Sequence, residues 1–122
     1  MADFRIYKLA DGTEVWVGKN DRSNDLLTLK FTEDNDLWFH VRGASGAHTV
    51  LKVTDSSVKP SKDTVHSAAA IAAYYSKARN AKKVTVAYTE GKYVNKYRGA
   101  KTGSVVVKNE KIVKVEPGLP TQ

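Results

Sequence analysis

Residues 62 to 79 carry the one strong helical period in this chain, and that restricts the folds open to it. Val65, Ala68, Ala69, Ala72 and Tyr75 follow i, i+3, i+4 spacing, so one face of the segment is a narrow stripe of mostly small side chains. Ser61 is placed to act as N-cap, Asp63 favours the first turn, and Lys77 and Arg79 suit the negative end of the helix dipole, which predicts a helix from Lys62 to about Arg79. A helix with so many alanines can lie close against a sheet. Every other apolar run is short, so the class expected is α+β: a mostly antiparallel β-sheet packed against one main Ala-rich α-helix.

The strand signals are local. Phe4 to Leu9 and Thr13 to Val17 flank Asp11-Gly12, a hairpin turn pair. The polar stretch Gly18 to Asp25 reads as a loop held by its own Asn and Asp side chains, and Leu26 to Phe31 then alternates like a strand. Asp36 to Arg42 and His48 to Val53 are joined by Gly43-Ala44-Ser45-Gly46-Ala47 and predict a second hairpin, with Arg42 opposite His48, Phe39 opposite Leu51 and Leu37 opposite Val53. Because side chains alternate, one side of that ribbon is apolar and the other gathers Trp38, His40, Arg42, His48 and Lys52 around Val50. Val84 to Tyr88, Ser104 to Val107 and Ile112 to Val115 predict three further strands, the last two joined around Asn109-Glu110.

At 122 residues the chain is expected to form one domain, 1–122, large enough to bury a core without staples. It has no cysteine, which removes disulfides, thiolate metal sites and a cysteine nucleophile, and fits a reducing compartment. No segment approaches the roughly 18 apolar residues of a membrane helix, and Met1-Ala2-Asp3-Phe4-Arg5 does not begin a leader. A cytoplasmic location is the expectation. Charge is unevenly spread: residues 1–76 hold 9 Lys and Arg against 10 Asp and Glu, whereas residues 77–122 hold 11 against 3. A cationic C-terminal third of that kind suits a polyanion.

Several constellations carry chemistry. His40 and His48 suggest metal ligands or an acid/base pair, but a catalytic zinc site takes three protein ligands and the only other histidine, His66, has no motif spacing to them. No metal or cofactor is expected. Asp36 is the sole nearby carboxylate for a hydrolase or nuclease built on His40 and His48. Imidazoles also hold hairpins by local hydrogen bonds, and both imidazole and indole contact unpaired nucleotides. Gly43-Ala44-Ser45-Gly46 lacks the Gly-Lys-Ser/Thr ending of a P-loop and precedes a strand, so a nucleotidase is rejected. Lys77, Arg79, Lys82, Lys83, Lys92, Lys96, Arg98 and Lys101 interleave with Tyr74, Tyr75, Tyr88, Tyr93 and Tyr97. Cations neutralise phosphates and exposed tyrosines stack on bases, so this pattern suits looped or single-stranded RNA; a solvated lysine-rich face over core tyrosines is the plainer alternative.

With those residues laid out, the chain resembles the NFACT-R domain over nearly its whole length. The blocks are GKNDRSNDLLT at Gly18 to Thr28, DLWFHVRGASGAH at Asp36 to His48, AAAIAAYYSKAR at Ala68 to Arg79 and VAYTEGKYVNKYRGAKTGSV at Val86 to Val105. The resemblance implies an RNA-binding domain with no established catalytic activity, found in factors that bind the obstructed large ribosomal subunit and recruit tRNA. The chain is expected to be a free-standing form. Asn24, Asp25, Asp36, Trp38, His40, Gly46 and His48 match the family's signatures, as do Tyr75, Ser76 and Arg79 at the helix end and Lys96, Gly99 and Gly103 in a basic glycine loop. Ser45, Tyr97 and Thr102 stand where the pattern implies proline, which implies looser loops.

The expectation is therefore a non-catalytic domain that binds RNA, rRNA or tRNA on a ribosomal particle. Trp38, His40, Arg42, His48, Arg79, Lys96, Arg98 and Lys101 would contact RNA; Asn24, Asp25, Asp36, Gly46, Gly99 and Gly103 would structure the loops. The rivals are a small hydrolase or nuclease using His40 and His48, and a module docking DNA or an acidic protein.

Overall fold

A computed structural model describes residues 4–120; Met1 to Asp3, which entered the argument about a leader, lie outside them. Six strands form an antiparallel sheet in the order β1-β2-β4-β3-β5-β8: β1 (Phe4–Lys8), β2 (Glu14–Gly18), β3 (Leu37–Val41), β4 (Thr49–Leu51), β5 (Val84–Glu90) and β8 (Lys111–Val115). β6 (Val94–Asn95) and β7 (Val106–Val107) pair with each other outside it, and the helices are α1 (Asp21–Lys30) and α2 (Lys62–Tyr74). The class is α+β, as the sequence predicts.

Both faces of the sheet are covered. Alternation sends Val15, Val17, Phe39, Leu51 and Val86 to one side, where Ala68, Ala69, Ile71, Ala72 and Ala73 of α2 pack on them. Their neighbours Trp38 and Val50 point the other way, onto Leu27 of α1 and Val94, Val105 and Val107. Ser61 caps α2 by accepting the Thr64 N–H at 3.1 Å, and Thr64 Oγ1 donates to Asp11 Oδ2 at 2.7 Å, tying the first hairpin turn to the helix start. α2 ends at Tyr74, so Lys77 and Arg79 lie beyond it rather than in its last turn.

Three local expectations are corrected. Asp21 to Lys30 is neither loop nor strand: Asn20 Oδ1 accepts the Ser23 N–H at 2.8 Å, Ser23 Oγ accepts the Asn20 N–H at 3.0 Å, and this capping box starts α1. Its buried stripe is Ser23, Asn24, Leu27 and Thr28, while Leu29, a member of the alternating set, is 44% exposed. In the second hairpin Phe39 pairs with Thr49 and Leu37 with Leu51, two residues from the expected register. The shift is even, so every side chain keeps its predicted face. Finally, β7 and β8 form no hairpin: β8 joins β5 and β7 joins β6.

Candidate functional site

The sheet face beneath α1 holds a buried polar relay. Trp38 Nε1–H donates to Thr28 Oγ1 at 2.9 Å, and the Thr28 hydroxyl in turn shares a hydrogen bond with His48 Nδ1 at 2.7 Å. Burial pushes the His48 pKa below its ordinary value; the Asn24 and Gly103 backbone and the Asp25 carboxylate oppose the shift without cancelling it. Asn24 Oδ1 also accepts the His48 backbone N–H at 3.1 Å. Trp38 lies between two imidazoles, 5.1 Å from the His40 ring and 5.0 Å from the His48 ring. Trp38 is 1% exposed and His48 6%, so both form the floor of a cleft rather than an open stacking face. The sequence did not foretell this floor, because without α1 the ribbon had nothing to cover it.

At the cleft mouth His40 and Arg42 remain accessible, their side chains 32% and 47% exposed, and both meet Glu110. Glu110 Oε2 is 2.5 Å from His40 Nε2 and Oε1 accepts from Arg42 Nη2 at 3.1 Å. Burial alone would raise the Glu110 pKa; the His40 hydrogen bond and charge, together with Arg42, outweigh it and hold the carboxyl below its ordinary range. Glu110 escaped the sequence reading, where it counted only as a turn residue.

The loop between β6 and β7 roofs the cleft. Gly103, Ser104 and Val105 line it beside Trp38, His40 and His48. A clamp holds the roof: Lys96 Nζ donates to the Lys101 and Ser104 carbonyls at 2.7 and 2.9 Å and lies 3.2 Å from Asp25 Oδ2, while Asp25 Oδ1 accepts the Gly103 N–H at 3.0 Å. The Lys96 ammonium, expected at a phosphate, is thus engaged within the protein. Gly103 has φ +87°, a left-handed conformation that a side chain would strain. Tyr97, Arg98, Gly99 and Lys101 are exposed on this loop, Tyr97 to 71%.

A strap closes the other end. Gly46 bridges Ser76, the Ala47 N–H donates to the Tyr75 carbonyl at 3.0 Å, and the Lys77 N–H donates to the Ser45 carbonyl at 2.9 Å. A Cβ on Gly46 would sit 2.8 Å from that of Ser76, which explains glycine there. The loop is therefore pinned to the end of α2. Beyond it, away from His40 and Arg42, Arg79 lies 4.1 Å over the Tyr74 ring.

Asp36 serves structure. Its carboxylate is 1% exposed and accepts from the Glu33 and Val53 N–H groups, both at 2.8 Å, and from Lys52 Nζ at 2.5 Å. It makes no hydrogen bond to His40 or His48, whose ring partners are Glu110 and Thr28, so the three do not line up as a relay for acid/base work. Among the described residues no group of three His, Cys, Asp or Glu side chains is placed to hold a metal ion, and no helix is long and apolar enough to cross a membrane.

Comparison with known proteins adds four findings. Residues 3–109 match the NFACT protein RNA binding domain. The chain is 37% identical over 115 residues to the Rqc2 homolog RqcH of Bacillus subtilis (strain 168), covering 94% of this chain and 20% of that protein. It is 40% identical over 112 residues to the Rqc2 homolog RqcH of Streptococcus suis (strain 05ZYH33), covering 91% of this chain and 20% of that protein. The chain thus spans about a fifth of the length of these relatives. A solved structure of the C-terminal part of the fibronectin/fibrinogen-binding protein from Streptococcus suis superposes with a TM-score of 0.88 at 36% identity, covering 97% of this chain and 47% of that one.

Proposed function

Because this chain belongs to the NFACT protein RNA binding domain family, we propose that it is a cytoplasmic, non-catalytic RNA-binding module of ribosome-associated quality control, contacting rRNA or tRNA on the large ribosomal subunit. The carrying observation is the roof loop, on which Tyr97 is 71% exposed and the accessible side chains of Arg98 and Lys101 follow it. An aromatic that exposed contributes little to the fold, whereas a base can stack on it while the adjacent cations neutralise phosphates. Arg42 and His40, both bonded to Glu110, stand at the cleft mouth. Lys96, Asp25, Gly99 and Gly103 set the loop's shape, and Trp38, His48, Asn24, Asp36 and Gly46 set the cleft beneath it. Those roles rest on the hydrogen bonds described above and, for Gly99, on its φ of +77°.

The test is binding of labelled tRNA and large-subunit rRNA fragments over a salt series. Tyr97→Ala with Arg98→Ala and Lys101→Ala should weaken binding and flatten the log–log salt slope by roughly 0.7–0.9 per lost phosphate contact. An unchanged slope removes the loop from the interface. The same incubation separates the rivals: RNA cleavage abolished by His40→Ala would favour a nuclease, and equal competition by duplex DNA or an acidic polypeptide would favour a charge-driven docking module.

A further inference from the structure

Across the Ser45–Gly46 strap from the His40 cleft, a groove of about 390 Å³ runs between the start of α1, the strap and the residues after α2. Arg5, Lys19, Lys77 and Arg79 line it against one carboxylate, Asp21. Two guanidiniums rest on adjacent tyrosine rings: Arg79 lies 4.1 Å over Tyr74 and Arg5 lies 4.7 Å over Tyr75. The two rings meet edge to face at 5.1 Å, and the Tyr75 hydroxyl is bonded to that of Tyr7, whose pKa burial and this contact push up to about 12. Holding a guanidinium against a ring restricts its rotamers and keeps the donors at its edge available to a planar or tetrahedral oxyanion. Among the described residues no carboxylate lies within ion-pair distance of Arg79 or Lys77.

The groove shares Asp21, Asn24, Ser45 and Gly46 with the cleft on the other side of the strap, so the two adjoin across it. Each has the volume of a small-ligand site, roughly 300–1,000 Å³, on the scale of a nucleotide or two. We propose that this groove is a second phosphate subsite for a single-stranded RNA segment that crosses the strap from the His40–Arg42 cleft, with Arg79 and Lys77 binding one phosphodiester and Arg5 the next. The inference rests on the RNA-binding reading and adds to it a location, a polarity-independent backbone contact and a preference for unpaired strand. The stacked Arg79 gives it geometry that a diffuse lysine surface lacks.

The experiment uses the whole chain and a fluorescent oligouridine of about 12 nucleotides, alone and paired with its complement, with anisotropy read over a salt series. Lys77→Ala with Arg79→Ala should lower affinity about tenfold and reduce the log–log salt slope by about 0.7, the value for the one phosphodiester the two residues share on a single strand. Arg79→Lys should keep the slope and lose part of the affinity. Lys59→Ala with Lys62→Ala removes equal charge at a distance and should leave the slope unchanged. Unfolding midpoints of all variants should match the parent. If the parent binds oligouridine and the Lys77/Arg79 variant matches it in affinity and slope, or the distant control loses as much, the groove is not a subsite, and the RNA-binding reading stands. A preference for the duplex overturns the single-strand assignment. Failure of the parent to bind oligouridine, duplex and tRNA alike overturns the RNA-binding reading itself.

Discussion

Glu110 closes on His40 across 70 residues of sequence, its Oε2 2.5 Å from the imidazole Nε2, while its other oxygen takes Arg42. A carboxylate gripped through both oxygens by an imidazole and a guanidinium occupies the position in which a phosphate would be held.

Glu110→Gln should therefore tighten RNA binding. One unit charge about 4 Å away contributes on the order of 1 kcal/mol in a water-like dielectric, so a gain of about fivefold is expected in the oligonucleotide titration. The stability cost should be small, since a partly exposed ion pair contributes roughly 0–1 kcal/mol. The carboxyl is held below its ordinary range, so its share of stability is intact at neutral pH and disappears only as acid takes the pH below the usual carboxylate value and through the depressed one. Unchanged or weaker binding by the glutamine variant would show that Glu110 does not compete with phosphate.

Asp36→Asn should be among the more destabilising single changes in the chain. Its carboxylate is 1% exposed and joins the start of β3 to the end of β4 through two backbone N–H groups and Lys52. Breaking a buried pair from one side costs roughly 3–5 kcal/mol; the lower end applies because Lys52 keeps 18% of its side chain in solvent. Urea unfolding of Asp36→Asn and Lys52→Met measures this, with the lysine variant equally diagnostic because it strands the carboxylate. A loss below about 1 kcal/mol in both would mean that the two backbone bonds, not the ion pair, hold the junction.

His48 predicts a pH dependence. Burial keeps the folded imidazole below 6.5, so as pH falls the unfolded chain takes up the proton first. Stability is then complete above that pH, and declines from about 6.5 downward until the folded imidazole also titrates. Between about pH 7.5 and 5.5 the parent should lose stability, and His48→Gln, less stable at the upper pH, should lose much less over the same interval. Parallel losses in both proteins would assign the dependence to another group.

Much of the architecture was legible because it is written locally. Asp11-Gly12 turns the first hairpin, Ser61 caps α2, and the alternation about Trp38 and Phe39 divides the ribbon into the faces observed. Even the misjudged register of β3 and β4 preserved those faces, since a two-residue slip respects the period of a strand. α1 was illegible for the opposite reason. Three of the four residues it buries, Ser23, Asn24 and Thr28, are polar, so no apolar stripe announces it. Their burial is tolerable because Asn20, His48 and Trp38 satisfy them.

The sequence by itself determined the fold class and the two faces of the central ribbon, because caps, turns and side-chain alternation act between residues a few positions apart; the family resemblance rests on four ordered blocks of sequence. Only the tertiary structure decided which polar groups became interior and which stayed available. Trp38 and His48 went under α1, Lys96 went into the clamp on the roof loop, and Tyr97, Arg98 and Arg79 remained outside. Beside short-range bonds such as Trp38–Thr28 and Lys96–Lys101, those outcomes depend on hydrogen bonds spanning 20 to 78 residues, from His48–Thr28 to Asp25–Gly103. Partners that distant meet only after the sheet has assembled, and nothing in the local spacing of either residue names the other.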